Sequence, residues 1–297
     1  VSDVIRPFTV GTGALISTNV TETVAAWSPG VNYGVVQTVN RANRIYMSLL
    51  SDNLGKDPAS NPFDEDDNPY WKDIGPNNAW SMFDNANRTR STRDGDIEVV
   101  LQTTGYVDRI ALFNLQASSA RVVARKNGTV VYDRQISLLN NNVVDSWGTY
   151  FFEPVVLRRK VIFRDIPLIG SLRFTVTVSG GSVGVGSLIP GRSRFIGEAE
   201  YGANLRIKDY SRADFDEFGN YDPKQRPSSQ GGAFDLYIDS SKTEAVTDLL
   251  TELRTVPLVW DMTPEPRGLL FGKLNSFVPT WSYPTIDKCS LDIEGLT

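Results

Sequence analysis

The stretch Ala120-Arg121-Val122-Val123-Ala124-Arg125-Lys126-Asn127-Gly128-Thr129-Val130-Val131-Tyr132-Asp133 decides the fold class. Two runs rich in β-branched residues flank Asn127-Gly128, a pair that tolerates the positive φ angles of a two-residue hairpin turn. The segment is therefore an antiparallel hairpin. Outward from it, short apolar or alternating runs recur: Asp96-Ile97-Glu98-Val99-Val100-Leu101, Val107-Asp108-Arg109-Ile110-Ala111-Leu112-Phe113, Tyr150-Phe151-Phe152, Lys160-Val161-Ile162-Phe163, Leu172-Arg173-Phe174-Thr175-Val176-Thr177-Val178 and Gly184-Val185-Gly186-Ser187-Leu188-Ile189. Short strands at this spacing, with turn formers between them, predict an antiparallel β-sandwich or jelly roll. Residues 241–255 break the pattern. Ala245, Val246, Leu249, Leu250 and Leu253 fall on one helical face, Ser240 or Ser241 can cap it, and Pro257 ends it.

Composition removes much catalytic chemistry. The 297 residues contain no histidine and one cysteine, Cys289. Serine–histidine and cysteine–histidine nucleophiles, imidazole acid–base chemistry, histidine-ligated zinc and thiolate zinc sites are thereby excluded. Carboxylate, lysine, tyrosine or oxygen-bound metal chemistry is left, and the expectation is a binding or structural protein without an enzymatic role or a cofactor. Hydrophobic residues make up 40% and charged residues 22%, the balance of an ordinary globular chain. The net charge of −5 supplies no basic surplus for nucleic acid. No apolar run reaches the roughly 18 residues of a membrane span, and Val1-Ser2-Asp3-Val4-Ile5-Arg6-Pro7 lacks the order of a signal peptide. One cysteine forms no intramolecular disulfide, consistent with synthesis in a reducing cytoplasm.

The expected organisation is mainly β and multidomain. Residues 1–26 form an arm, 27–78 a small aromatic β module, 79–190 the sandwich, and 191–297 a C-terminal β domain with one helix. Phe8-Thr9-Val10 and the following Gly11-x-Gly13 suit an extended edge strand open to exchange with a neighbour.

Within residues 33–75 the chain runs through Asn43-Arg44-Ile45-Tyr46-Met47-Ser48, Asn53-Leu54-Gly55-Lys56-Asp57-Pro58 and Tyr70-Trp71-Lys72-Asp73-Ile74-Gly75. This order resembles the small carbohydrate-binding modules attached to chitinases, which also decorate phage tail proteins. The resemblance implies sugar stacking on Tyr46, Tyr70 and Trp71, since a planar ring matches the apolar face of a pyranose. The competing reading makes the same rings the core of a lobe too small to have another. Asn78-Ala79-Trp80-Ser81-Met82-Phe83 and the strands after it look like galactose-binding-like jelly rolls. Trp147, in a polar loop, is a further candidate contact at the sandwich rim. The acidic runs Asp64-Glu65-Asp66-Asp67 and Asp214 to Asp222 are read as solvated loops. Calcium ligation and a glycosidase carboxylate pair are the alternatives.

Tyr201-Gly202-Ala203-Asn204, Lys208-Asp209-Tyr210-Ser211-Arg212, Phe218-Gly219-Asn220-Tyr221, Gly268-Leu269-Leu270-Phe271-Gly272 and Lys288-Cys289-Ser290-Leu291-Asp292-Ile293 resemble the C-terminal region of tail proteins of tailed bacteriophages. That resemblance implies a virion component of the tail tip or baseplate. Its partners would be other tail proteins and further copies of itself, in a ring or trimer, with host glycans as a peripheral contact. The alternatives are a receptor-binding adhesin and a carboxylate-based polysaccharide depolymerase.

Overall fold

The structure, a computed structural model, describes residues 2–60, 62–139, 148, 156–215 and 221–296. It is mainly β, with antiparallel sheets throughout and the helix Ser240–Glu252 near the C-terminus. Among the described residues, no helix is long and apolar enough to cross a membrane.

The hairpin read from Asn127-Gly128 is present. Strands Ser119–Lys126 and Thr129–Ser137 pair around it, and the two turn residues have φ of 50° and 86°. They form one side of a five-stranded sheet completed by Arg173–Ser179, Ile97–Gln102 and Leu15–Thr18. Alternation decides which side chains turn inward. Val122, Val176, Val99 and Leu101 meet Ile110, Leu112, Val161, Phe163 and Leu188 from the facing layer in a single core. The expected strand at Tyr150-Phe151-Phe152 lies outside the described residues.

The facing layer belongs to a larger sheet. Among the described residues it has nine strands in the order Lys160–Phe163, Arg109–Phe113, Ser187–Ala199, Ser2–Pro7, Leu258–Asp261, Leu269–Thr280, Ile286–Gly295, Ser228–Asp239 and Asn204–Asp209. Glu198 and Ala199 also pair with Tyr237 and Leu236. That pairing joins the third strand to the eighth, so six strands close on themselves as an antiparallel barrel. Gly197, at φ 136° beside an irregularity in the register at Ser2/Asp3, marks the corner where Ser187–Ala199 changes partner. A Cβ there would lie 2.9 Å from the Tyr237 carbonyl oxygen, closer than a side chain permits.

Strand Ser187–Ala199 runs unbroken through Pro190-Gly191, where the sequence suggested a division. Its first half pairs with Arg109–Phe113 of the sandwich and its second with Ser2–Pro7 of the barrel. Sandwich and barrel thus share one sheet. The N-terminal segment differs from the expected free arm for a related reason. Ser2–Pro7 sits inside the nine-stranded sheet, and Leu15–Thr18 is consumed by the sandwich. Val4 points into the barrel and Ile5 into a third core between the two lobes, so both faces of that strand are covered at its centre. Phe8 and Val10 are partly buried against the sandwich core.

The same two-sided burial explains the unbroken apolar runs. Val259, Leu269 and Phe271 face outward from the barrel onto Ala111, Phe113, Ile162 and Ile189. Phe113 and Phe271 stack at 5.6 Å. Trp260, Leu258, Leu270, Leu291 and Ile293 turn inward, where Val246, Leu250 and Leu253 of the helix meet them.

The helix lies where the 3.6-residue spacing places it, but its cap is Asp239. The carboxylate accepts from the Ser241 amide at 2.9 Å, while Ser240 Oγ and Thr243 Oγ1 donate to buried Asp287 at 2.8 and 2.7 Å. Ser240 is therefore diverted from capping to anchoring the helix on the strand Ile286–Gly295, while the Ser241 hydroxyl donates to the capping Asp239 at 2.6 Å.

A polar seam crosses the junction of the lobes. Arg164 grips Asp261 with two bonds of 2.7 and 2.6 Å, and Arg109 stands 3.3 Å from Asp3. Burial pushes the Asp3 carboxyl above its ordinary range, and Arg109 only partly offsets this. The folded chain therefore keeps that proton to higher pH than the unfolded one. This contribution should reduce stability as pH rises from about 4 through the raised value. Urea midpoints across that window should show the decline in the parent chain and a flatter profile in Asp3→Asn.

Candidate functional site

Residues 27–78 form a lobe around a three-stranded sheet of Thr38–Arg41, Arg44–Ser48 and Trp71–Pro76. Its first hairpin turns at Ala42-Asn43, both at positive φ, a geometry usually marked by glycine. Trp71 is 3% exposed and packs edge-to-face on Tyr33 at 5.4 Å, with Val39 beneath. Its indole N–H donates to the Lys56 carbonyl at 2.9 Å. Trp71 is thus placed in the core of this lobe.

Tyr46 and Tyr70 are half-buried and pack against that core, as does Trp27. Lys56 Nζ lies 5.1 Å from the centre of the Tyr70 ring, and the Arg41 guanidinium lies 5.1 Å from that of Trp27. Each of these rings therefore has a cation from its own lobe over one face. A sugar stacking on Tyr70 would use the face opposite Lys56. Arg41 is itself held by Asp57 at 3.1 and 2.7 Å, which keeps the Asp57 carboxyl below its usual range. Tyr33 and Trp27 were missed as partners of Trp71. Their signal was their aromatic character just before the module's first strand pair. Trp147 lies outside the described residues.

The acidic loop is tied to itself. Asp64 accepts from the amides of Asp66 and Asn68 at 3.0 and 2.7 Å, and the Asn68 amide bond lowers its carboxyl. Among the described residues, no three carboxylate or thiol groups converge as metal ligands. Residues 216–220 of the second acidic run fall outside the described residues.

The most exposed large side chains sit on the barrel. Tyr201 is fully exposed, Trp281 is 86% exposed and Ile207 72%. Tyr201 occupies the turn before Asn204–Asp209, and Trp281 and Tyr283 occupy the turn between Leu269–Thr280 and Ile286–Gly295. Neither Trp281 nor Tyr283 was singled out from sequence. The available signal was an aromatic pair between Pro279 and Pro284, where a strand cannot continue to pair.

Asn204–Asp209 is the last strand of the nine-stranded sheet, and all six of its residues are exposed. Among the described residues it is paired on one side only, with Ser228–Asp239. Arg206 pairs with Asp292, and Lys208 reaches Glu294 at 3.1 Å, across the intervening strand. Gly231-Gly232 lie between them and offer no side chain to block that reach. A Cβ at Gly231 would approach the Ile293 carbonyl to 2.5 Å. After the edge strand, Arg212–Phe215 and Tyr221–Lys224 pair with each other as a two-stranded ribbon. Elsewhere on the barrel, a groove of about 730 Å³ runs between Phe195, Ile286 and the helix residues Ala245 and Leu249.

The fold and these surfaces define a multilobed antiparallel β protein: a jelly-roll-like sandwich and a closed barrel sharing one sheet, with a small aromatic lobe attached. The chain matches no protein-family model, no curated protein and no solved structure.

Proposed function

We propose that this chain is a structural component of a bacteriophage tail tip or baseplate, synthesised in the host cytoplasm and built into the virion. In this reading it assembles with copies of itself and with other tail proteins, and it carries out no catalytic step. The observation that supports the reading is the end strand of the nine-stranded sheet. Among the described residues Asn204–Asp209 leaves one strand edge without a partner, Leu205 and Ile207 on it are exposed, and a paired ribbon follows it in the chain. An exposed apolar edge is an aggregation hazard in a monomer and a ready contact in an ordered assembly.

A second reading, adhesion to host glycans, draws on the half-exposed rings of Tyr46 and Tyr70. Under the assembly reading that lobe is peripheral decoration.

Removing residues 212–225 and closing the gap with a short glycine–serine link tests the assembly reading. The cut spares Ser228 to Gln230, which pair with the edge strand. Thermal unfolding of the lobes should be nearly unchanged, because among the described residues the excised strands form a two-stranded sheet separate from those of the lobes. Sedimentation and light scattering should show an oligomer for the parent chain and loss of it after the cut. A parent chain that stays monomeric at high concentration, or a cut chain that assembles equally well, would overturn the role given to this edge.

A further inference from the structure

A separate cavity of about 420 Å³ opens where the sandwich meets the barrel. Its charged lining among the described residues is Arg88, Arg159 and Lys160, with no aspartate or glutamate among them. The chain as a whole carries a net charge of −5, so this concentration of one sign is local.

Other cations at the same junction are matched by carboxylates: Arg109 by Asp3, and Arg164 by Asp261. The cavity cations are not. Lys160 Nζ donates to the Leu269 carbonyl at 2.8 Å, the Gln230 side-chain oxygen at 3.3 Å and the Arg267 carbonyl at 3.5 Å, all of them neutral. Burial with no opposing charge lowers its ammonium below the usual range. Among the described residues, the guanidinium groups of Arg88 and Arg159 have no hydrogen-bond or ion-pair partner.

Burial pushes the Arg90 guanidinium below its usual range, and the charge of nearby Arg159 adds to that push. The Arg90 guanidinium is held by neutral oxygens of Asn114 and Gln116, and its Nε is buried without an acceptor. Asn87, on the cavity wall, has a buried side-chain oxygen that lacks a donor.

Withdrawing the Lys160 and Arg90 charges from water without counter-charge is unfavourable, and together with exposed Arg88 and Arg159 they focus a positive potential on the cavity. Guanidinium groups present paired N–H donors that match the oxygens of a carboxylate or phosphate. The cavity volume falls in the range that holds small ligands. A hydroxyl on the ligand would supply the donor that Asn87 lacks.

We propose that this junction cavity binds an oxyanion, a carboxylate or phosphate group borne by a hydroxylated small molecule such as an acidic sugar. The site does not depend on the assembly reading above. Arg88 and Arg159 fix the anion, and Lys160 supplies charge from the cavity floor.

Calorimetric titration of the full chain tests this, with glucuronate and inorganic phosphate as probes, glucose as the neutral control, and ionic strength matched with potassium chloride. At least one anion should bind, glucose should not, and Arg88→Gln/Arg159→Gln should weaken that binding roughly tenfold or more. Both arginines are exposed, so the double variant should keep the parent's circular dichroism spectrum and melting temperature. Response to glucuronate alone identifies a carboxylated sugar, and response to phosphate alone identifies a phosphate ester. Binding of neither anion, or equal binding by the folded double variant, overturns the proposal.

Discussion

Trp260→Ala should destabilise the chain by about 3–5 kcal/mol, a large share of the roughly 5–15 kcal/mol that holds a typical domain folded. Trp260 is completely buried, on a strand between Ser2–Pro7 and Leu269–Thr280. Its ring belongs to one core cluster with Val4, Leu270, Leu291, the helix residue Leu250 and the C-capping Leu253. Its indole N–H donates to the Gly272 carbonyl at 3.1 Å. Truncation removes apolar burial and leaves a void, because a closed barrel cannot collapse to fill it. Trp260→Phe keeps most of the volume and loses the N–H, so it should cost clearly less. Urea unfolding followed by circular dichroism measures both. A cost under about 1 kcal/mol for the alanine variant would mean that the barrel interior is not packed around this ring.

The second large effect belongs to the junction. Asp261→Asn should cost about 3 kcal/mol, because it leaves the Arg164 guanidinium beside a neutral amide in a site shielded from water. The two side chains are 28% and 6% exposed, and Arg164 also donates to the carbonyls of Thr263 and Pro264 at 3.4 and 3.3 Å. Pairing with Asp261 raises the arginine above its ordinary range, overcoming the effect of burial. Arg164→Met should cost a similar amount, since it strands the carboxylate. Arg164→Met/Asp261→Leu should recover much of the loss, because an apolar pair needs no counter-charge. Near-additive single effects in that cycle would show that the two groups act independently. A broadened or split unfolding transition in Asp261→Asn would further show that the pair couples the lobes, since a two-state unit unfolds in one step.

The strands Ile97–Gln102 and Arg173–Ser179 of the five-stranded sheet were legible because one face of each meets a core and the other does not, and that asymmetry is written as alternation. Ile97, Val99 and Leu101 show it, as do Phe174, Val176 and Val178. The helix was legible for the same reason at a different period, through Val246, Leu250 and Leu253. The aromatic lobe was legible as a cluster, but the direction of each ring was not. Tyr70 and Trp71 are neighbours in sequence, and the pleat sends the second inward under Tyr33 while the first stays half-exposed. The cations over Tyr70 and Trp27 come from residues 14 positions away in each case, Lys56 and Arg41, and no local pattern announces them.

By itself the sequence determined the β class, the hairpin at Asn127-Gly128, the position of the helix and the absence of imidazole chemistry. Each follows from residue identity or from short-range periodicity. Tertiary structure alone decided that residues 187–199 form one strand across an apparent Pro-Gly boundary. It also decided that Ser2–Pro7 lies at the centre of a sheet and that six strands close into a barrel. These features depend on pairings between residues nearly 200 positions apart, such as Ser2 with Gly197. The positive junction cavity is of the same kind. Arg88, Arg159 and Lys160 are unremarkable in sequence, and only the tertiary fold brings them together around one cavity. Local composition records the free energy of turning and burying a segment, whereas long-range pairing is selected by the combined packing of all three cores.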